Sequence, residues 1–166
     1  MEEKTIKALR WVVKILNENY VPYKIGGGFA ASIYGSPRPV NDIDISLSGK
    51  YFPIIVPKVS HYITAGPKHY LNEKWDCETL SLNYQGQDID MTDVDSLKMT
   101  NKGKTEWIQV KERRIFDAVT VNMAGVDVSI MDPRDLITYK KELDGNHQLV
   151  DIKAIKKYIT THNLTP

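Results

Sequence analysis

The sequence predicts an α+β fold, a mixed β-sheet with helices packed mainly on one side. Three observations carry that prediction. Apolar residues recur at helical spacing near both ends: Ile6, Leu9, Val12, Val13 and Leu16 early, and Ile152, Ile155 and Ile159 late. Between them, short alternating runs are separated by glycine-centred turns. The order also matters, because strand and helix alternate early whereas hairpins come later, ahead of two closing helices.

The elements follow in order. The first helix ends near Asn19, and residues 21–25 read as the approach to a strand. A short helix is expected over 29–34. Pro37 and Pro39 then force a turn and an extended segment, because proline holds φ near −65° and restricts the residue before it. Asp42–Leu47 alternates acid or serine with Ile, Ile and Leu, the period of a strand. Residues 79–84 and 88–92 flank Gln85-Gly86-Gln87 as a hairpin, and 116–122 and 126–130 flank Ala124-Gly125 as a second. Asp132-Pro133 opens a helix with an acidic N-cap and proline at its first position.

At 166 residues the chain is read as one domain, residues 1–166, long enough for a substantial core. A net charge of +1 gives no global field directed at nucleic acid or a membrane surface. Cys77 is the only cysteine, so an internal disulfide is impossible. The N-terminus lacks the basic segment and cleavage site of a signal peptide, and no apolar run reaches membrane-spanning length. The expected location is cytoplasmic, without a membrane partner.

The chemistry is concentrated in Gly26-Gly27-Gly28-Phe29-Ala30 and in Asp42-Ile43-Asp44. Glycines at the start of a helix let a phosphate approach backbone N–H groups. Carboxylates two apart on a strand share a face, with Cα atoms roughly 6.6–7 Å apart, and can hold one or two divalent cations. Each feature has a plainer reading: glycine is the usual turn residue, and edge strands carry charge to discourage aggregation. His61, His69, His147 and His162 lack zinc-ligand spacing. Trp11, Trp75 and Trp107 read as core or rim aromatics, and nothing near Cys77 marks it as a nucleophile. Lys140 and Lys141 are open to two readings, reaching a nucleotide or lying on a solvated helix face.

The run G-G-F-A-x-x-x-x-G-x-x-R-x-x-x-D-I-D-I, residues 27–45, resembles the polymerase-beta-like nucleotidyltransferase superfamily. It looks closest to the small bacterial branch of lincosamide nucleotidyltransferase-like proteins and AbiEii-type toxins. The segment DPRDLITYKK resembles the part of the family that precedes its closing helices. The resemblance implies a nucleotidyltransferase-like fold and Mg²⁺-dependent transfer of an NMP group from an NTP, such as ATP, to an acceptor hydroxyl. It places Gly27, Gly28 and Arg38 at the nucleotide, and Asp42 and Asp44 at the metal with two Mg²⁺ ions. Asp90, within Ile89-Asp90-Met91, suits the third metal and catalytic carboxylate and could act as base; Asp88 stands behind it. The sequence departs from the family pattern at Val40, where threonine is usual, at Tyr34, where histidine is common, and in GNHQLVDI, which lacks the basic-acidic pair ahead of Asp151. Acceptors in the family are small molecules, proteins or tRNA ends, and the chain does not reveal which applies. Its short length leaves a homodimer as one way to complete the pocket. The alternative is a degenerate module that binds a nucleotide or a partner without turnover.

Overall fold

Along β2 (Asp42–Leu47), Ile43, Ile45 and Leu47 are buried and alternate with half-buried Asp42, Asp44 and Ser46. That alternation decides which side of the sheet is covered and which is left for chemistry. The computed structural model describes residues 1–109 and 117–164.

The covered side is built by three helices. α1 (Glu3–Glu18) buries Leu9, Val12, Val13 and Leu16, α2 (Gly27–Ile33) buries Phe29, Ala30 and Ala31, and α3 (Phe52–Val59) buries Phe52, Ile55 and Val59. All join one apolar cluster with Ile43, Ile45, Leu47, Ile89 and Met91 of the sheet. Each such Leu, Ile, Val or Phe contributes on the order of 1.5–3 kcal/mol on burial, which lets the opposite face of the same strands remain polar.

Among the described residues nine strands form one mixed sheet in the order β7-β6-β4-β5-β2-β1-β9-β8, with β3 paired to β4. β1 is Tyr23–Ile25, β3 Ile63–Leu71, β4 Trp75–Tyr84 and β5 Gln87–Asp93. β6 is Lys98–Thr100, β7 Trp107–Gln109, β8 Val119–Met123 and β9 Val126–Ile130. β2 runs parallel to β5, and β1 parallel to β9; the remaining pairs are antiparallel. α4 (Pro133–Lys141) and α5 (Asn146–Thr161) close the chain and contact α2. No helix among the described residues is long and apolar enough to cross a membrane.

The expected α+β architecture is present, and β2 has the expected bounds. Asp132 caps α4 by accepting from the Arg134 N–H at 2.8 Å. The first hairpin turns on two residues rather than three: Gln85 and Gly86 take φ of 51° and 83°, and Gln87 is already in the strand. The second turns on Ala124 and Gly125 with φ of 50° and 80°. Positive φ at both central residues gives a turn whose twist matches the flanking strands. β8 starts at Val119; residue 116, expected in it, lies outside the described residues. α3 and β3 had no sequence expectation. α3 carries Pro53 in its first turn and Pro57 inside, so helical propensity hides it, and its formation rests on packing Ile55 and Val59 into the core.

Candidate active site

The polar face of the central strands is ruled into cross-strand rows. Asp42 of β2 lies beside Asp88 of β5, which faces Asn83 of β4. Asp44 lies beside Asp90, which faces Ser81. Lys24 of β1 faces Ser46, which lies beside Thr92, which faces Thr79. The parallel pairing of β2 with β5 sets acid against acid twice, an arrangement a sheet otherwise disfavours.

The local electrostatics follow. Burial pushes the Asp44 carboxyl up, to about 7, with the charges of Asp42 and Asp90 adding to the rise and Lys140 opposing it. Asp42 is also raised, first by burial and then by Asp90 and Asp88, against the pull of Arg38. Asp90 accepts a hydrogen bond from the Ser81 hydroxyl at 2.6 Å, and Asp88, exposed beside the hairpin turn, accepts one from the Asn83 amide at 2.7 Å. Asp93 and Asp95, which follow Asp88 and Asp90 in the chain, serve local structure. Asp93 accepts from the backbone N–H groups of Gly49, Asp95 and Ser96, and Asp95 accepts from the Ser48 hydroxyl.

Gly27 begins α2 with φ of +56°, and a Cβ there would stand 1.6 Å from Asp44 Oδ2. The Asp44 carboxylate therefore lies directly against this backbone, and only glycine allows the approach. Gly28 differs: its conformation is ordinary, and a Cβ there would meet nothing within 4 Å.

The other nucleotide candidate has a different first partner from the one expected. Arg38 Nη1 donates to Asp151 Oδ2 at 2.7 Å, and Asp151 also accepts from Ser36 Oγ at 2.6 Å and pairs with Lys140 Nζ at 2.8 Å. Lys140 is buried, so its solvated-face reading is overturned; a second contact at 3.1 Å joins it to Gln148. Lys141 is exposed. Tyr34, at the family's histidine position, donates its hydroxyl to the Met131 carbonyl at 2.7 Å and ties α2 to the entry of α4.

Asp44 and Asp90 open onto a cavity of about 400 Å³. Ser46, Thr92 and Thr79 continue its floor, and Trp75, Leu97 and Tyr139 also line it. Period-two alternation from Asp44 and Asp90 could have predicted Ser46 and Thr92. Nothing local marked Lys24, Trp75 or the Lys140–Asp151–Arg38 network.

The donor set bears on which ion could fit. Among the described residues no three His, Cys, Asp or Glu side chains already stand together as a metal cluster. Asp44 lies on Gly27, and Asp90 is bonded to Ser81. Carboxylate oxygens on one face, short of a full cage, suit Mg²⁺, which takes one or two carboxylates together with waters and substrate phosphates.

Comparison with known proteins places the fold. No family model matches the chain, and no curated protein matches its sequence. Among solved structures, a candidate nucleotidyltransferase of Thermotoga maritima matches with TM-score 0.71 at 14% identity, over 98% of this chain and 93% of that one. A lincosamide antibiotic adenylyltransferase with lincomycin bound matches with TM-score 0.60 at 13% identity, over 92% and 96%. The antibiotic-resistance factor ANT(2″)-Ia in complex with adenylyl-2″-tobramycin matches with TM-score 0.56 at 13% identity, over 96% and 91%. At such identities what is shared is the fold, and the fold is that of nucleotidyltransferases.

Proposed function

We propose that this chain transfers a nucleoside monophosphate from an NTP to the hydroxyl of a small molecule, with Mg²⁺ held by Asp42, Asp44 and Asp90. The observation that carries the reading is the in-register pair Asp44–Asp90 on parallel strands lining a cavity, where burial and, after it, repulsion raise Asp44 to about 7. Such a concentration of like charge is costly unless a cation answers it. The adenylyltransferase neighbours, one with lincomycin and one with adenylyl-2″-tobramycin, support a small-molecule acceptor.

The acceptor oxygen forms a bond to the α-phosphorus while the bond from that phosphorus to the pyrophosphate oxygen breaks. Asp90, half-buried at the cavity and held by Ser81, takes the hydroxyl proton. Mg²⁺, when bound, supplies the positive charge that the triphosphate and the leaving pyrophosphate require. Gly27 lets Asp44 sit against the start of α2, and the open space beside Gly28 leaves room for a phosphate to approach the backbone. Arg38, anchored on Asp151, contributes its charge to the same end of the site.

The test is pyrophosphate release by the purified protein with each common NTP, an acceptor panel, and Mg²⁺ or a chelator. Release that requires Mg²⁺, is lost in Asp90→Asn and is retained in Asp88→Asn is expected. Retention in Asp90→Asn overturns the assignment. A second reading, binding without turnover, draws on Asp90 already holding the Ser81 hydroxyl and on the lack, among the described residues, of three metal-ligating side chains standing together. Thermal stabilisation by Mg²⁺ and NTP with no pyrophosphate release would select it.

A further inference from the structure

We infer that the cavity beyond Asp44 and Asp90 is the acceptor site, and that its ligand is a small uncharged molecule carrying hydroxyl groups and a flat apolar face. The inference rests on the transferase reading above and names its substrate class.

The cavity changes character along its length. At one end stand Asp44 and Asp90. Next comes a row of hydroxyls, Ser46, Thr92 and Thr79, set side by side by the strand register. Further along β4 stands Trp75, its ring 6.1 Å from that of Tyr139 and tilted by 37°. Serine and threonine hydroxyls both donate and accept, so they match sugar-like hydroxyls without demanding charge. Rigid aromatic rings offer flat area at low entropic cost. A volume of about 400 Å³ suits a small ligand rather than a macromolecule.

Charge narrows the class further. Among the described lining residues the charged side chains are Lys24, Asp44 and Asp90. A polycation would find no carboxylate here besides the two proposed to hold Mg²⁺. A polyanion such as an RNA end would meet a single cationic residue. An uncharged ligand incurs neither penalty.

Position bears on which substrate enters. Gly28 and Arg38, placed at the nucleotide, do not line this cavity, whereas Asp44 and Asp90 do, and Gly27 stands where the two ends meet. The cavity therefore extends from the carboxylates over the hydroxyl row to Trp75. An acceptor lying there points a hydroxyl at Asp90, its proposed base.

The experiment uses the whole chain labelled with 5-fluorotryptophan, which gives one ¹⁹F signal for each of its three tryptophans. The Trp75 signal is assigned with Trp75→Phe. The probes are a panel of neutral aryl glycosides, 4-nitrophenyl β-D-glucoside among them, together with tobramycin, a short oligoribonucleotide with a free 3′ hydroxyl, and Mg²⁺ with ATP. The glycosides are expected to shift the Trp75 signal, and the other probes to leave it in place. In transfer assays Trp75→Ala is expected to raise the acceptor KM about tenfold, the loss of roughly one aromatic contact, with the NTP KM changed less than about twofold. The inference is overturned if Mg²⁺ with ATP moves the Trp75 signal as far as the glycosides do. It is equally overturned if no glycoside moves it, or if tobramycin or the oligoribonucleotide is the better acceptor. A Trp75 response to glycosides without pyrophosphate release from any NTP sinks the transferase reading instead, and leaves the ligand class of the cavity standing.

Discussion

Asp44 and Asp151 are both carboxylates drawn out of bulk water, and their surroundings treat them in opposite ways. Asp44 faces Asp42 and Asp90, and burial and repulsion raise it to about 7. For Asp151, burial also pushes upward, but the hydrogen bonds from Lys140 and Ser36 and the charges of Lys140 and Arg38 outweigh it, so its carboxyl lies below the ordinary range. One cluster is like charge only partly offset by the chain itself; the other is charge matched within it. Buried charge is tolerated where it is paired, and it persists unpaired where function requires it. Lys140 belongs to both settings, since it pairs with Asp151 and its charge also opposes the rise at Asp44.

The largest effect that would break this contrast is on activity. Asp44→Asn should lower transfer by about a thousandfold or more, on the order of 4 kcal/mol of transition-state stabilisation, because it removes a charge proposed to hold Mg²⁺. Its stability should move the other way. A carboxyl raised from 3.8 to about 7 on folding contributes stability that is full below pH 3.8 and lost as pH rises through about 7. Asparagine does not titrate, so metal-free Asp44→Asn should gain on the wild type in melting temperature between pH 4 and 8. A constant difference across that range in metal-free melting curves would deny that Asp44 is strained.

Next in size is the paired cluster. Asp151→Ala leaves Lys140 buried without its main partner and should cost about 3–5 kcal/mol, a loss of roughly 10–15 °C in Tm. Here the pH dependence has the opposite sign. A depressed carboxyl contributes stability above its unfolded value, and that contribution disappears as pH falls through the folded one. The gap between wild type and Asp151→Ala in urea-unfolding free energy should therefore be widest near neutrality and close in acid. A gap that widens toward acid would invert the assignment.

The smallest effect sharpens the comparison at the turn. Gly27→Ala must adopt φ of +56° and displace the Asp44 carboxylate, at a cost of about 1–3 kcal/mol. Gly28→Ala enters open space and should stay within about 0.5 kcal/mol of the wild type. Gly28→Val should weaken stabilisation by Mg²⁺ and NTP far more than it lowers the Tm of the free protein. Thermal melts with and without nucleotide measure all three, and equal costs for the two alanine variants would remove the distinction between the glycines.

What could be read in advance were features with short-range causes. The alternation 42–47 marks β2 because a strand turns each successive side chain to the other face. Asp132-Pro133 marks the start of α4 because cap and proline act within one turn. Gly86 and Gly125 mark their hairpins because a tight turn demands positive φ. α3 escaped because its two prolines oppose the helix that core packing imposes.

By itself the sequence determined that Asp42 and Asp44 share one face of a strand, that a glycine turn precedes it, and that Ile43, Ile45 and Leu47 lie opposite. Only the tertiary structure decided that Asp90 rather than Asp88 lies beside Asp44, that Arg38 is drawn to Asp151, 113 positions away in the chain, and that Trp75 and Tyr139 wall the cavity. The physical reason is register. A slip of one residue between β2 and β5 would turn every acid on one strand to the wrong face, and burial of Ile89 and Met91 beside Ile43 and Ile45 rules that slip out. That choice depends on how whole faces pack against α1, α2 and α3, and no window of neighbouring residues contains it.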